Sequence, residues 1–355
     1  MALIHGGDTE GYFEAYGKVP LDFSANCNPL GIPVGVAKAI AAAAAQADKY
    51  PDPLCRQLRA AISEKLGLPP SYILCGNGAA DLIFRLALAK RPKTALVTAP
   101  TFAEYELALK TTGCVVAHHF LEESAGFRLD SSIIDRVTPA LDILFICNPN
   151  NPTGLTVAPA LLQELLDVTR QTGTLLVVDE CFNGFLDAPE SHSLKRKLKD
   201  YDNLLILDAF TKLYGMAGVR LGYCLSSNTN LLDAIKDAGQ PWSVSSLAQA
   251  AGIAALRECD YVNTARVLIQ TERADLTAAL TALGLRVYGG EANYIFFYAP
   301  IPNLGALLRQ RGVLIRDCGN YAGLAAGFWR VAVRTQSENE QLIGALGDVL
   351  KEATK

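Results

Sequence analysis

The chain has 355 residues, which exceeds the usual size of a single hydrophobic core and predicts two domains. Half of the residues are hydrophobic and 19% are charged, which is typical of a globular protein and argues against a disordered one. A net charge of −4 without a basic run argues against a nucleic-acid-binding surface.

Cysteine and histidine patterns argue against further classes of site. The nine cysteines include no C-x-x-C pair and are expected to be reduced thiols. The four histidines, two of them adjacent at His118 and His119, lack metal-ligand spacing, so no metal is expected. The apolar stretch 36–47 contains Lys38 and Gln46 and predicts a packed helix, so no membrane partner is expected. The N-terminus has no secretory signal, which predicts a cytoplasmic protein.

Apolar runs typical of strands alternate with helical patterns through most of the chain, at 94–98, 114–120, 141–147, 175–178, 204–207 and 221–225. This alternation predicts an α/β fold with a mostly parallel sheet covered on both faces. Beyond residue 240, long helices at 245–256 and 261–283 precede short strands at 286–288, 294–298, 313–315 and 329–333. We therefore predict a large domain at 46–240, a small α+β domain at 241–355, and an N-terminal arm at 1–45 that packs with the small domain. The active site is expected between the domains.

A first anion site is predicted where a strand-like run ends at residues 74–81. Glycines at Gly76 and Gly78 follow the run, and a helical pattern begins directly after them. The N-terminus of a helix offers free amide groups to an anion. Gly78 and Ala79 are expected to supply these amides.

Three later strand-like runs lead into an amide, an acid and an amine. Run 144–147 continues into a turn-rich segment that contains Asn151, and run 175–178 ends in Asp179. Lys212 follows run 204–207, and Arg220 lies eight residues later. Ligands of open α/β sheets bind at such strand ends. A partly desolvated lysine favours the neutral amine that attacks an aldehyde to form a Schiff base, and a nearby arginine can clamp a phosphate.

This ordered set resembles the fold type I pyridoxal-phosphate enzymes, specifically the class I and II aminotransferases, over nearly the whole chain. The resemblance implies that pyridoxal 5'-phosphate is the cofactor. Asn151 would bond the ring 3-oxygen, and Asp179 would pair with the pyridinium nitrogen. Lys212 would bind the cofactor covalently and afterwards move the proton. Thr211 and Arg220 would hold the cofactor phosphate.

Two tyrosines match further positions of the family. Tyr105, in segment 99–105, matches the aromatic residue that stacks on the pyridine ring; its alternative is a core residue on a helix face. Tyr50, in segment 49–52, matches the tyrosine that reaches the cofactor phosphate of the neighbouring subunit; its alternative is a plain turn. The family assignment implies a homodimer with shared active sites.

Segments outside the cofactor set are similar to the threonine-phosphate decarboxylases of the cobalamin pathway, which are close relatives of the histidinol-phosphate aminotransferases: 5–7, 21–31, 50–52, 99–105, 240–244, 292–294, 314–318 and 330–334. This similarity implies a pyridoxal-phosphate-dependent carbon-carbon lyase. It would convert L-threonine O-3-phosphate, a small phosphorylated amino acid, to (R)-1-aminopropan-2-yl phosphate.

The same similarity implies two binding sites for substrate anions. Arg330 would bind the α-carboxylate and Arg316 the substrate phosphate, because a planar guanidinium suits both anions through paired hydrogen bonds. The alternative for each arginine is an ion pair at the surface or between domains. Four residues would assist, Asn26 and Asn151 beside Arg330, and His5 and the Gly6 amide beside Arg316.

Five residues depart from the family pattern. Phe182 stands where aminotransferases usually have a tyrosine that donates to the ring 3-oxygen, and phenylalanine cannot donate. Arg334 replaces a small residue, and it either biases the site toward decarboxylation or forms a structural pair. Asp208 replaces a common arginine, Ala209 a serine or threonine, and Cys181 an alanine. Loss of the hydroxyl at position 209 is expected to weaken the hold on the cofactor phosphate.

Two alternative functions remain open from the sequence. The first is a histidinol-phosphate aminotransferase or another class I/II aminotransferase, which would depend on an oxo-acid acceptor. The second is a cofactor-binding regulator, but such proteins resemble fusions to a DNA-binding domain, and no basic helix-turn-helix segment precedes the substrate arm.

Overall fold

A larger sheet, a smaller sheet and a separate two-stranded pair organise the computed structural model, which describes residues 6–353. The strands, in chain order, are β1 (Leu21–Asp22), β2 (Ile73–Gly76), β3 (Thr94–Ala99), β4 (Val115–Phe120), β5 (Ile143–Cys147), β6 (Leu175–Asp179), β7 (Leu204–Ala209), β8 (Gly222–Leu225), β9 (Arg286–Tyr288), β10 (Tyr294–Tyr298), β11 (Val313–Leu314), β12 (Arg316–Asp317) and β13 (Phe328–Ala332). The helices are α1 (Thr9–Tyr16), α2 (Val34–Ala44), α3 (Arg56–Leu66), α4 (Gly78–Lys90), α5 (Glu104–Lys110), α6 (Pro159–Thr172), α7 (Phe210–Leu213), α8 (Thr229–Asp237), α9 (Ser246–Ala255), α10 (Cys259–Ala282), α11 (Leu304–Gln310) and α12 (Gln336–Ala353).

The larger sheet has seven strands in the order β2-β8-β7-β6-β5-β3-β4. Strands β4, β3, β5, β6 and β7 are parallel, and β8 runs antiparallel to both β7 and β2. Every residue of β5 and β6 is buried, as expected of strands covered on both faces. The predicted α/β fold with a mostly parallel sheet is confirmed.

Helix α6 illustrates how the sequence covers this sheet. Pro159 at its first position fits a helix start, and Gly173 ends it with a φ of +76°. Leucines at 161, 162, 165 and 166 form one buried face. Burial of each leucine contributes about 1.5–3 kcal/mol, and Leu165→Ala should cost about 2–5 kcal/mol.

The smaller sheet has four antiparallel strands in the order β12-β13-β10-β9, and its core includes residues of α10 and α12. Strand β1 pairs in parallel with β11. Two further backbone bonds extend this contact, from Phe23 N to Leu314 O and from Ala332 N to Phe23 O, each 2.8 Å. Residues of the predicted arm thus lie against the small sheet, while the domain boundaries at 45 and 240 stay predictions.

The predicted strand at 313–315 differs from the structure. The chain forms β11, which pairs with β1, and then β12, which pairs with β13 in another sheet. Ile315 lies between the two strands. A pattern of apolar residues cannot show that a strand changes partner within four residues.

Among residues 6–353, no helix combines the length and apolar character that crossing a membrane requires.

Candidate active site

A cavity of about 440 Å³ opens at the carboxyl edge of the large sheet. The ends of β5, β6 and β7 contribute Cys147, Asp179 and Ala209 to its wall. The opposite wall comes from the arm segment 24–26 and from the small sheet. Because parallel strands end at one edge, the polar residues that follow them meet in this cavity.

Asp179 lies buried at the end of β6 and faces the cavity. The Tyr105 hydroxyl donates to its Oδ2 at 2.6 Å, and the Cys181 amide donates to its Oδ1 at 3.0 Å. Burial raises the pKa of Asp179, and these two donors oppose that shift. These two donors therefore hold the carboxylate in one orientation.

Lys212 follows β7 on the short helix α7, and its side chain lines the cavity. The Asn28 amide donates to the Lys212 carbonyl at 3.1 Å, which joins this segment to the arm. The Nζ atom lies 5.9 Å from the centre of the Phe182 ring. Burial lowers the pKa of Lys212, and the positive charges of Arg330 and Arg220 act in the same direction. These surroundings favour the neutral, nucleophilic amine.

Close packing around Gly78 and Gly222 builds a cradle at the start of α4. Gly78 has a φ of +82°, and a Cβ there would lie 2.9 Å from Arg220 Nη2. A Cβ on Gly222 would lie 2.6 Å from the Ala79 amide nitrogen. Ala79, Thr211 and Arg220 line this side of the cavity. A helix N-terminus, a hydroxyl and a guanidinium together form a donor set that fits a phosphate dianion.

Two buried arginines project into the opposite side of the cavity. Arg330 donates to Asn151 Oδ1 and, at 2.8 Å, to the Ser24 carbonyl. Arg316 donates at 2.8 Å to Asn320 Oδ1. Their guanidinium groups keep further donors for a ligand, since each has five N–H groups.

Two buried polar atoms at this end lack a hydrogen-bond partner within residues 6–353, namely Asn26 Oδ1 and Arg330 Nε. Both residues line the cavity. Buried polar groups without partners are uncommon in native structures. Their presence here indicates that a polar ligand completes the site.

Tyr105 requires a correction, because it does not line the cavity. It is the second residue of α5, and its ring packs on Phe145 with centroids 4.9 Å apart. Its hydroxyl is used by Asp179. Phe102, in the loop between β3 and α5, lines the cavity instead. Stacking on a cofactor ring therefore does not fit Tyr105, and Phe102 is the residue that sequence reasoning missed.

Three other predicted positions lie away from this cavity or outside the described residues. Tyr50 is 81% exposed, with its ring 4.7 Å from that of Trp242, and its contact with a neighbouring subunit stays a prediction. Arg334 donates at 2.6 Å to Glu338 and forms a structural pair. His5 lies outside the described residues, whereas Gly6 lines the cavity.

Tyr321 and Ser24 also line the cavity and were missed from the sequence. The Tyr321 ring centre lies 5.2 Å from the Arg316 guanidinium. The spacing of residues in the sequence does not predict that these two line a site, because both lie in loops whose course depends on the small sheet. Phe102 could have been predicted to lie at the site, since it follows the end of β3 by three residues.

Known proteins similar to this chain belong to one family. The family described as aminotransferase class I and II matches residues 18–346. The chain is similar to threonine-phosphate decarboxylase of Salmonella typhimurium, with 38% identity over 360 residues, covering 99% of this chain and 98% of that protein. It is also similar to histidinol-phosphate aminotransferase of Symbiobacterium thermophilum, with 37% identity over 334 residues, covering 92% and 90%.

A solved structure matches the fold as well. The crystal structure of histidinol-phosphate aminotransferase from Clostridium acetobutylicum aligns with a TM-score of 0.88 at 30% identity, covering 93% of this chain and 99% of that chain.

Proposed function

Since this chain belongs to the class I and II aminotransferases, a family of pyridoxal-phosphate-dependent enzymes, we propose that it decarboxylates L-threonine O-3-phosphate to (R)-1-aminopropan-2-yl phosphate in the cobalamin pathway. One observation carries this proposal. Arg316 and Arg330 are both buried and line the same cavity as Lys212. Such a site suits a small amine that carries two anionic groups. The similarity to threonine-phosphate decarboxylase supports the same substrate.

The residues at the large sheet fit the cofactor. Lys212 would bind its aldehyde, Asp179 its ring nitrogen and Asn151 its ring 3-oxygen. The phosphate would lie in the cradle of Gly78, Ala79, Thr211 and Arg220 described above. When bound, pyridoxal phosphate supplies an aldehyde for amines and a ring that accepts the electron pair of a broken bond.

Lys212 would also be the proton carrier of the reaction. Its Nζ has a lowered pKa because of burial, so the amine can release and accept a proton near neutral pH more readily than a solvated lysine. After loss of carbon dioxide it would deliver that proton to the substrate α-carbon. Its attachment to the arm through Asn28 would keep this amine in a fixed position.

The two arginines would determine which bond breaks. Arg330, with Asn26 and Asn151, would hold the α-carboxylate, and Arg316, with His5 and Gly6, would hold the phosphate. Only a bond perpendicular to the cofactor ring overlaps its π system, so two fixed anions define the rotation of the α-carbon. If they present the carboxylate in that direction, carbon dioxide is lost; if they present the α-hydrogen, transamination follows.

The homodimer with shared sites is part of this proposal. The exposed Tyr50 ring does not contact the cavity of its own chain, which supports a role at the cofactor phosphate of a second copy. Sedimentation of the purified protein tests the assembly.

The deciding experiment measures carbon dioxide released from L-threonine O-3-phosphate by the pyridoxal-phosphate-loaded protein without an oxo acid. We expect release over many turnovers. The second candidate is a histidinol-phosphate aminotransferase, favoured by the relative at 37% identity and the structure at a TM-score of 0.88. No carbon dioxide release, together with glutamate formation from histidinol phosphate and 2-oxoglutarate, would establish that alternative instead.

A further inference from the structure

A partly buried ion network lies behind the strand ends that carry Asp179 and Lys212. Lys195 Nζ lies 2.6 Å from Asp208 Oδ2 and 3.6 Å from Glu180 Oε2. The Tyr223 hydroxyl also donates to Asp208 Oδ2, at 2.8 Å. These residues come from the ends of β6, β7 and β8 and from the loop between β6 and β7.

The network is separate from the active-site cavity but shares a wall with it. Lys195, Asp208 and Tyr223 line a second cavity of about 350 Å³ and are not part of the first. Cys181 and Ala209 line both cavities. One layer of residues therefore separates the network from the site proposed to bind the cofactor ring.

Three carboxyl groups meet at this layer. Asp179 and Glu180 are consecutive at the end of β6, and Asp208 lies on the adjacent strand β7, where Leu207 is the register partner of Asp179. Burial raises the pKa of Asp179 and of Glu180, and the charge of Asp208 raises the pKa of both further. Neighbouring buried carboxylates oppose each other's ionisation.

Lys195 supplies the opposing charge. Burial disfavours its ammonium form, but the carboxylates of Asp208 and Glu180 outweigh burial and raise the pKa of Lys195. The titratable groups that face Asp179 from the surrounding elements include Tyr105 of α5, Cys147 of β5, Cys181 after β6, Asp208 of β7 and Tyr294 of β10. None of these five brings a positive charge.

We propose that Lys195 is a positioning residue, which keeps the Asp179 carboxylate charged by pairing with Asp208 and Glu180; this inference rests on the role proposed for Asp179. A charged Asp179 stabilises a protonated ring nitrogen. Lys195 thus acts on the cofactor through the charge balance of the layer behind it, without contact with substrate.

The test compares Lys195→Met, Asp208→Asn and the double variant in the cofactor-loaded protein. The absorbance of the bound cofactor is titrated with pH, and its dissociation constant is measured by dialysis. The midpoint compared is the pH at which the absorbance is half changed on the acid side, where Asp179 takes up a proton. Lys195→Met should raise this midpoint by about one pH unit and weaken cofactor binding, because an opposing charge is lost. Asp208→Asn should move that midpoint down. The double variant keeps the wild-type net charge of the pair and should return close to the wild-type midpoint.

Lys197→Met is the matched control, since this exposed lysine lies on the same turn, and it should leave the midpoint unchanged. Midpoints that do not move, or that move in the same direction in both single variants, would overturn the inference. If Lys195→Met does not fold, Asp208→Asn decides alone, and a midpoint that stays or rises contradicts the proposal. Asp179→Ala separates the two ideas: if it leaves the cofactor absorbance unchanged, the role proposed for Asp179 has failed.

Discussion

Arg316 and Arg330 are register partners across the antiparallel pair of β12 and β13, and both side chains line one cavity. Directly opposed residues in such a pair share a face of the sheet and lie close together. Two like charges in this arrangement repel each other in a buried site. Anionic ligands would offset that repulsion, which supports the proposed substrate with two negative groups.

Removal of either arginine should weaken substrate use. Hydrogen bonds to charged groups contribute about 1.5–3 kcal/mol, so Arg316→Ala and Arg330→Ala should each lower kcat/KM about 10- to 100-fold. Arg316→Ala should also reduce the preference for threonine phosphate over threonine, whereas Arg330→Ala should retain it. Steady-state kinetics with both amino acids measures this. Arg334→Ala is the control, because Arg334 pairs with Glu338 outside the cavity, and its kcat/KM should stay within about twofold of wild type.

Lys212→Met should stabilise the protein without cofactor. Burial lowers the pKa of Lys212, so the unfolded chain binds the proton more tightly than the folded one. The resulting cost is complete below the folded pKa and disappears as pH rises through the unfolded value of about 10.4. We expect Tm to rise by about 2 °C or more at neutral pH, with the gain shrinking toward pH 10.4. Thermal unfolding across pH measures it, and a gain independent of pH would contradict this explanation.

Ala209→Ser should slow cofactor release. Ala209 lines the cavity at the position where relatives usually have a hydroxyl residue. A new donor to a phosphate should contribute roughly 1 kcal/mol, or about a fivefold lower dissociation rate. Release can be followed by transfer of the cofactor to an excess of an acceptor protein. Ala25→Ser, on the arm side of the cavity, should release cofactor at the wild-type rate.

Phe182→Tyr should change the cofactor spectrum. Phe182 lines the cavity, and its ring lies 5.9 Å from Lys212 Nζ. A hydroxyl there can donate to the ring 3-oxygen, which stabilises the negative oxygen and should lower the pH at which the bound cofactor changes absorbance. A spectrophotometric pH titration of both proteins tests this. An unchanged midpoint would show that the added hydroxyl does not reach the cofactor.

The sequence was most informative where function follows directly from a strand end. Asn151, Asp179 and Lys212 follow apolar runs that become parallel neighbours, and parallel strands end at one edge. Their meeting in one cavity could therefore be predicted. The roles assigned to them come from the family resemblance and stay proposals.

Side-chain direction near element ends could not be predicted. Phe102 and Tyr105 are both aromatic and lie three residues apart, but α5 begins at Glu104 and turns Tyr105 into the core. Arg330 and Arg334 would share a face if β13 continued. The strand ends at Ala332, so Arg334 turns toward α12. In both cases one or two residues of helix or strand length decide which side chain reaches the cavity.

The pairing of β1 with β11 has a consequence for synthesis on the ribosome. Leu21 is made early, but its partner Val313 is made near the end of the chain. The seven-stranded sheet is complete once Leu225 has emerged, so the lysine and its cradle can form while the arm still lacks its partner strand. We therefore expect the nascent chain to form the part of the proposed site at the large sheet first, and the part that the arm and the small sheet contribute only when the last strands fold.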